Sequence, residues 1–469
     1  MRVVRLPLTD TLRFRWQALA WATGQQSSKN GFVAFLNNNG ITYPNDPFPN
    51  RLFVGAKRVI SFSGEHAPGQ DVFARLHQAH SQTPSFLVGY VGYDVKNQLE
   101  DLASRHPNRL GFPEAYFVEP EWVIDFEPDA VLIHGEGNGQ AVFDAITLTP
   151  DPSPERAEGG ATTESAPLPP KQSSMAFQEI GGEGKVQCRV IPDQYEANVR
   201  RIQQHILAGD VYELNYCIEF FRENVELNPL AVYEALNERS PMPFSTFVKI
   251  DDRYIMGASP ERFLTRRGPK ILSQPIKGTI RRGNTPEEDA SLREELLNSE
   301  KERAENLMIV DLVRNDLARS AETGSVRVEE LFGIYGFRQV NQMISTVSAT
   351  LRKGVSWADA IRHAFPMGSM TGAPKIRAMQ LIDDVESSRR GVYSGAIGFI
   401  TPDGDFDFNV VIRTLLYDAQ SRYASFSVGS AITYDADPAQ EWEECLLKAR
   451  AIREVLESWS SGDFASPDD

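Results

Sequence analysis

The stretch Gln274-Pro-Ile-Lys-Gly-Thr-Ile-Arg-Arg282 sets a lysine between an apolar pair and a Gly-Thr turn, with two arginines close behind. Two readings fit. Lys277 is an exposed hairpin lysine, or it stands at a strand end in a pocket, where desolvation beside other cations favours the neutral, nucleophilic amine. Two pairs of carboxylates share a second pattern: Glu302 with Glu305, and Glu441 with Glu444. Residues three apart lie on one helix face, so each pair can converge on a point or simply line a solvated surface. Oxygens from two such helices suit a hard cation such as Mg2+, with water and a substrate carboxylate completing the shell. Met367-Gly-Ser-Met-Thr-Gly-Ala-Pro-Lys375 precedes a helical pattern, and Val428-Gly-Ser-Ala-Ile432 follows a strand. Each is either a capped turn or a set of backbone amides open to an anion. The first departs from the Walker A spacing, so it does not imply a nucleotide. Arg413 is a charge inside an apolar run; such an arginine is ordinarily paired, and a ligand carboxylate is one candidate partner.

The elements that must position these residues read as α+β. In 1–148, short strand-like runs at 31–36, 58–62, 86–93 and 130–133 alternate with turns, and 71–80 has helical spacing. Five histidines here (His66, His77, His80, His106 and His134) form no cluster and read as scattered surface residues. The region 149–185 is rich in Pro, Gly and Ser with few large apolar residues, and reads as a flexible linker. Beyond 190, helices at 193–207 (with Asp193 as N-cap), 229–236, 287–317 and 440–456 interleave with strands around 247–265 and 393–428. Interleaved helices and hairpin strands favour α+β over a doubly wound parallel sheet. The last residues, 458–469, read as a disordered tail.

Bulk composition narrows the function classes. The chain has 469 residues, 41% hydrophobic and 24% charged, with a net charge of -16. That balance argues against a general nucleic-acid binder, which needs clustered cations. Cys188, Cys217 and Cys445 are far apart and odd in number, so neither a disulfide framework nor a metal spacing is implied and a cytoplasmic location fits. The N-terminus lacks the apolar core of a signal peptide, and no run approaches the ~18 apolar residues of a membrane span.

Taken together, Ser259-Pro-Glu-Arg-Phe263, Pro275-Ile-Lys-Gly-Thr279, Asp311-Leu-Val-Arg-Asn-Asp-Leu317, Gly372-Ala-Pro-Lys375, Arg390-Gly-Val-Tyr-Ser-Gly395 and Ile412-Arg-Thr414 resemble the chorismate-utilising enzymes in order and spacing. The resemblance is strong over 190–457, a chorismate-binding catalytic domain. It is weaker over 1–148, an N-terminal anthranilate-synthase-like region, through Gly89-Tyr-Val-Gly-Tyr-Asp-Val-Lys96. It implies a two-lobed α+β fold with antiparallel sheets packed as a sandwich and flanked by helices. It also implies roles: Glu261 as the acid/base at the leaving hydroxyl; Glu302, Glu305, Glu441 and Glu444 as the Mg2+ shell; Tyr393 and Arg413 gripping the enolpyruvyl carboxylate. Ser369 and the amides around Gly429 and Ala431 line the ring site.

Within the family, anthranilate, isochorismate and salicylate synthases resemble one another in carrying Ala where Lys277 stands. Lysine there resembles the branch that aminates chorismate at C4 to 4-amino-4-deoxychorismate, on the route to p-aminobenzoate and folate. In that branch the lysine is the nucleophile at C2. Gln342 stands where anthranilate synthases carry a histidine associated with pyruvate elimination, and a glutamine cannot transfer protons as an imidazole can. A neutral Lys277 requires tuning from about 10.4, for which Arg281, Arg282 or the metal are candidates. Gly-Ser-Ala at 429–431 departs from a more glycine-rich family turn. A chain of this length implies that ammonia comes from a separate glutamine amidotransferase subunit. The alternatives are anthranilate synthase component I and a non-catalytic chorismate- or tryptophan-binding homologue.

Overall fold

Strands of alternating inward and outward residues build the molecule. A computed structural model describes residues 2–24, 31–45, 47–63, 71–152 and 185–459. Most of the expected linker, most of the expected tail and His66 lie outside the described residues. Two antiparallel sheets, of twelve and ten strands among the described residues, carry the chain. The strand Phe32–Asn37 shows the logic. Phe32, Ala34 and Leu36 enter an apolar layer made by strands of both sheets and, among the described residues, by no helix. Val33 and Phe35 face the other way, into a layer shared with the helices Thr11–Gly24 and Pro229–Arg239. A two-residue period on a strand buried on both faces demands this, and each fully buried Phe contributes roughly 1.5–3 kcal/mol. A third layer lies outside the ten-stranded sheet, against the helices Val72–Gln82, Glu300–Ala318 and Trp357–Ala364. The result is the expected sandwich flanked by helices.

Hydrogen bonding runs across the sequence division between 1–148 and 190–457 in both sheets. Phe32–Asn37 pairs with Phe244–Ile250, and Leu87–Val91 pairs with Ala396–Ile400. Two crossings between sheets matter most for the site. The chain leaves the twelve-stranded sheet at the end of Arg253–Ser259 and enters the ten-stranded sheet at Arg262–Arg267. It returns between Phe406–Val410 and Thr414–Asp418. The crossings bond to each other: Val410 N–H donates to the Glu261 carbonyl at 3.0 Å, Ala258 N–H to the Arg413 carbonyl at 3.0 Å, and Ser259 Oγ to the Val410 carbonyl at 2.6 Å.

Local expectations are corrected at several points. The helix expected over 287–317 is two helices, Pro286–Asn298 and Glu300–Ala318, because extended Ser299 caps the second with its hydroxyl. Asp193 lies in the first turn of Pro192–Leu207, whose N-cap is Ile191, with the Ile191 N–H donating to Gln194 Oε1 at 3.4 Å. His80 is buried and bonds the Thr401 carbonyl, and His134 lies beside Asp125, so neither is a plain surface histidine.

Candidate active site

Glu261 rides the first crossing and Arg413 the second, so their backbone bonds bring both to the seam between the sheets. Glu261 is 5% exposed, and burial pushes its carboxyl up to about 7. Ser369 tempers that rise from a position short of good hydrogen-bond geometry, and its buried hydroxyl has no partner. Arg262, the next residue, is fully buried. It forks onto Asp407 at 2.9 and 3.0 Å and donates to Gln274 Oε1 at 2.7 Å. Gln274 in turn donates to the Pro44 carbonyl. A planar guanidinium bonded in this way fixes the relative register of the strands that lead to Glu261 and to Lys277.

Lys277 lies on the strand Ile276–Arg281. Its carbonyl accepts from Asn306 Nδ2 at 3.3 Å, and Asn306 Oδ1 accepts from Ser345, so the helix Glu300–Ala318 is tied to the lysine strand. Gly278 has φ +94°, and a Cβ there would stand 3.2 Å from Glu302 Oε2; a glycine satisfies both demands. Lys277 Nζ is 4.0 Å from Glu305 Oε2 with only 14% of its side chain exposed. Burial pushes the ammonium down, but Glu213, Glu305, Glu444 and Glu261 together outweigh it, and its pKa stands above 10.5. The expectation that Arg281 or Arg282 lowers it is overturned. Arg281 pairs with Glu288 at 2.5 Å and Arg282 with Asp289 at 2.7 Å, both on the neighbouring helix.

The two glutamate pairs lie in the first two turns of Glu300–Ala318 and Pro438–Ser458. Lys301 stands between them, 3.9 Å from Glu305 Oε1 and 3.7 Å from Glu441 Oε1. Glu441 accepts from Ser430, and Glu444 pairs with Lys448 at 2.5 Å. Burial raises Glu302, Glu305 and Glu441, and like-charged neighbours add to it. Glu444 is lowered on balance: burial acts upward, and Lys448, Lys277 and Lys301 prevail. Among the described residues no three His, Cys, Asp or Glu side chains close into a ready-made metal shell. The donor chemistry nevertheless fits Mg2+, which takes one or two carboxylates and keeps waters and substrate oxygens. The mutual repulsion that raises Glu302 is what a dication relieves.

One wall of the site is the strand Glu213–Arg222 with its partner Tyr423–Ile432. Leu214, Tyr216, Ile218 and Phe220 pack outward against helices, so Glu213, Asn215 and Cys217 occupy the face toward the other sheet. Cys217 Sγ is 3.2 Å from Asn215 Nδ2 and 3.7 Å from Tyr393 OH, which places Tyr393 on this face. Val428–Ile432, read as a possible turn, continues the strand, with Gly429 opposite Cys217 and Ala431 opposite Asn215. Cys217 N–H bonds Glu386 and Asn215 N–H bonds the Thr371 carbonyl, away from the partner strand. These are therefore non-hydrogen-bonded pairs, and the Gly429 and Ala431 amides also point to the outer side. Lys448 takes the Gly429 carbonyl there at 2.9 Å. A Cβ on Gly429 would stand 2.5 Å from Cys217 Sγ.

Arg413 is half-buried with φ +50°; burial pushes its guanidinium down, and among the described residues no carboxylate pairs with it. The glycine-rich segment before Lys375 is held by neighbours. Gly372–Ala373 pairs with Glu213–Leu214, and Lys375 forms a buried ion pair with Asp316 at 2.7 Å, so its charge is already engaged. Arg390 is buried, forks onto Glu386 and donates to the carbonyls of Met370 and Asn215, which locks the Ser369 loop to the ring-facing strand. Sequence reasoning missed Glu213, Asn306 and the Arg262–Asp407 pair. The signal for Asp407 was present: it is the one charge in the strand Phe406–Val410.

The chain belongs to the family described as chorismate binding enzyme, whose model matches residues 39–454. It is 33% identical over 426 residues to anthranilate synthase component 1 of Thermus thermophilus, covering 87% of this chain and 89% of that protein. It is 40% identical over 383 residues to aminodeoxychorismate synthase of Streptomyces griseus, covering 79% of this chain and 50% of that protein; the chain thus spans about half the length of that relative. Among solved structures, anthranilate synthase component I from Streptococcus pneumoniae superimposes with a TM-score of 0.70 at 27% identity, covering 89% of this chain and 95% of that one. The isochorismate synthase MenF from Escherichia coli shares the fold, with a TM-score of 0.69 at 17% identity, covering 97% of this chain and 94% of that one. Among the described residues no helix is long and apolar enough to cross a membrane.

Proposed function

We propose that this chain acts as aminodeoxychorismate synthase component I, aminating chorismate at C4 with retention of the enolpyruvyl group. The observation that carries the reading is Lys277, its side chain only 14% exposed among carboxylates, sharing the site with Glu261, whose carboxyl burial pushes up to about 7. The Lys277 amine attacks C2. The C1–C2 and C5–C6 double bonds shift to C1–C6 and C4–C5, the C4–O bond breaks, and Glu261 gives its proton to the departing hydroxyl, which leaves as water. Ammonia then adds at C4, the double bonds shift back, and the Lys277 amine leaves C2. Arg413 and Tyr393 hold the enolpyruvyl carboxylate, and Ser369 lines the ring together with Gly429 and Ala431, the residues opposite Cys217 and Asn215. Glu302, Glu305, Glu441 and Glu444 would hold Mg2+, which when bound would supply positive charge for the ring carboxylate and offset the anions that otherwise keep Lys277 protonated. The ammonia comes from a separate glutamine amidotransferase subunit. Gln342 supports retention of the enolpyruvyl group, since it offers no proton relay.

Anthranilate synthase component I is a second reading, favoured by the near full-length match to the Thermus protein. Incubation with chorismate, Mg2+ and an ammonium salt separates the two. A chromatographed product that retains the enolpyruvyl group is expected. Anthranilate with released pyruvate refutes the proposal.

A further inference from the structure

Lys277 stands on an irregular piece of sheet. In the pairing of Ile276–Arg281 with Val340–Thr350, Ile276 lies opposite Ile344 and Thr279 opposite Gln342, so Lys277 and Gly278 together stand against Met343. On the other side of the same strand, Gly333 lies opposite Ile344 and Glu330 opposite Thr346, so Leu331 and Phe332 stand against Ser345. Each is a bulge with one extra residue, a device that bends a strand and re-aims a side chain. Phe332 has φ +62°, a conformation that a bulky residue keeps only where its surroundings hold it there.

One buried side chain connects the two bulges. Asn306 is 1% exposed on the helix Glu300–Ala318. Its Nδ2 donates to the Lys277 carbonyl at 3.3 Å, and its Oδ1 accepts from Ser345 Oγ at 2.6 Å. Phe332 N–H donates to Ser345 Oγ at 3.1 Å. The serine therefore spends its own proton on Asn306, and that bond turns the amide with its donor toward Lys277. The same helix reaches both bulges a second time: the Arg303 guanidinium lies 5.1 Å from the centre of the Phe332 ring, and Glu305 Oε2 lies 4.0 Å from Lys277 Nζ. Glu305 and Asn306, consecutive on the helix, thus address the amine and the carbonyl of one lysine. We infer that Asn306 is a positioning residue for Lys277: it clamps the bulged backbone from which the amine reaches the substrate, and through Ser345 it braces that bulge against the one at Phe332. This rests on the reading of Lys277 as the nucleophile.

The test uses the full chain with chorismate, Mg2+ and ammonium chloride, well below its melting temperature. For Asn306→Ala, kcat is expected to fall about ten- to hundredfold, the scale of a misplaced reacting group, while the KM for chorismate and the calorimetric Kd for Mg2+ stay within about twofold. A second readout needs no turnover. Acetylation of Lys277 by acetic anhydride, followed by peptide mass spectrometry, is expected to run several-fold faster in Asn306→Ala, with Lys96, a lysine buried elsewhere, unchanged as the internal control. A wild-type kcat in Asn306→Ala overturns the inference. So does a Lys277 acetylation rate equal to wild type, or one that rises only together with that of Lys96. Should Asn306→Ala fail to fold, Ser345→Ala, which loses only a hydroxyl, carries both readouts, and unchanged values again overturn it. The reading of the chain is decided separately: Lys277→Ala at an unchanged rate, or anthranilate as product, refutes that reading, and Lys277 acetylation then decides Asn306 alone.

Discussion

Replacing Glu261 by glutamine isolates the acid. Burial holds this carboxyl to about 7 against an ordinary 4.5. That difference corresponds to about 3.4 kcal/mol, and at pH 7 it lifts the protonated share from well under one in a hundred to about half. Glutamine keeps the shape and offers no transferable proton. For Glu261→Gln, kcat is expected to fall about 10²–10⁴-fold with little change in the KM for chorismate. The wild-type rate should decline as pH rises through about 7, where the acid is lost, and that limb should vanish in the variant. Stability supplies an independent check. Between 4.5 and about 7 the folded state holds a proton that the unfolded chain has released, so stability falls as pH rises through that window. At pH 8 the ionised group costs up to about 3.4 kcal/mol. Glu261→Gln should therefore melt at a higher temperature than wild type at pH 8, with the gap closing below 4.5. An undiminished kcat, or an alkaline limb near 7 that survives the substitution, refutes the assignment of Glu261 as acid.

Lys277→Ala is expected to abolish formation of the aminated product while chorismate binding, followed calorimetrically, persists; an unchanged rate removes the nucleophile role. Lys375→Met leaves Asp316 buried without its partner and should cost about 3–5 kcal/mol in urea unfolding at pH 8. The cost should shrink below pH 6, because burial holds that acid up to about 6 and protonation neutralises it; the further change Asp316→Asn should restore most of it. Mg2+ at a hundredfold over its Kd should stabilise the chain by about 2.7 kcal/mol in thermal melts. Glu441→Gln should blunt that effect and EDTA should stop turnover, whereas melts insensitive to Mg2+ in wild type would remove the metal site.

The fold was legible wherever structure follows local periodicity. The helices carrying Glu302, Glu305, Glu441 and Glu444 and the alternation of Phe32–Asn37 needed only residues a few positions apart. Legibility failed where a local pattern had two solutions. Val428–Ile432 reads equally as a turn or a strand, and pairing with Leu214–Ile218 decides for the strand. Ser299 could sit inside one helix or cap a second, and its extended backbone takes the latter.

Residue order alone supplies the kit: a lysine in Pro275-Ile-Lys-Gly-Thr279, an acid in Ser259-Pro-Glu-Arg-Phe263, two glutamate pairs at helical spacing, and motifs in the order of one family. The surroundings of the lysine come from the folded chain. Arg281 and Arg282, its neighbours in sequence, turn away to Glu288 and Asp289, while Glu213, Glu305, Glu444 and Glu261 converge on it from distant segments. The physical reason is that a charge responds to whatever is near in space through a low-dielectric interior. That nearness was set by two sheet crossings and a strand register that no local pattern encodes.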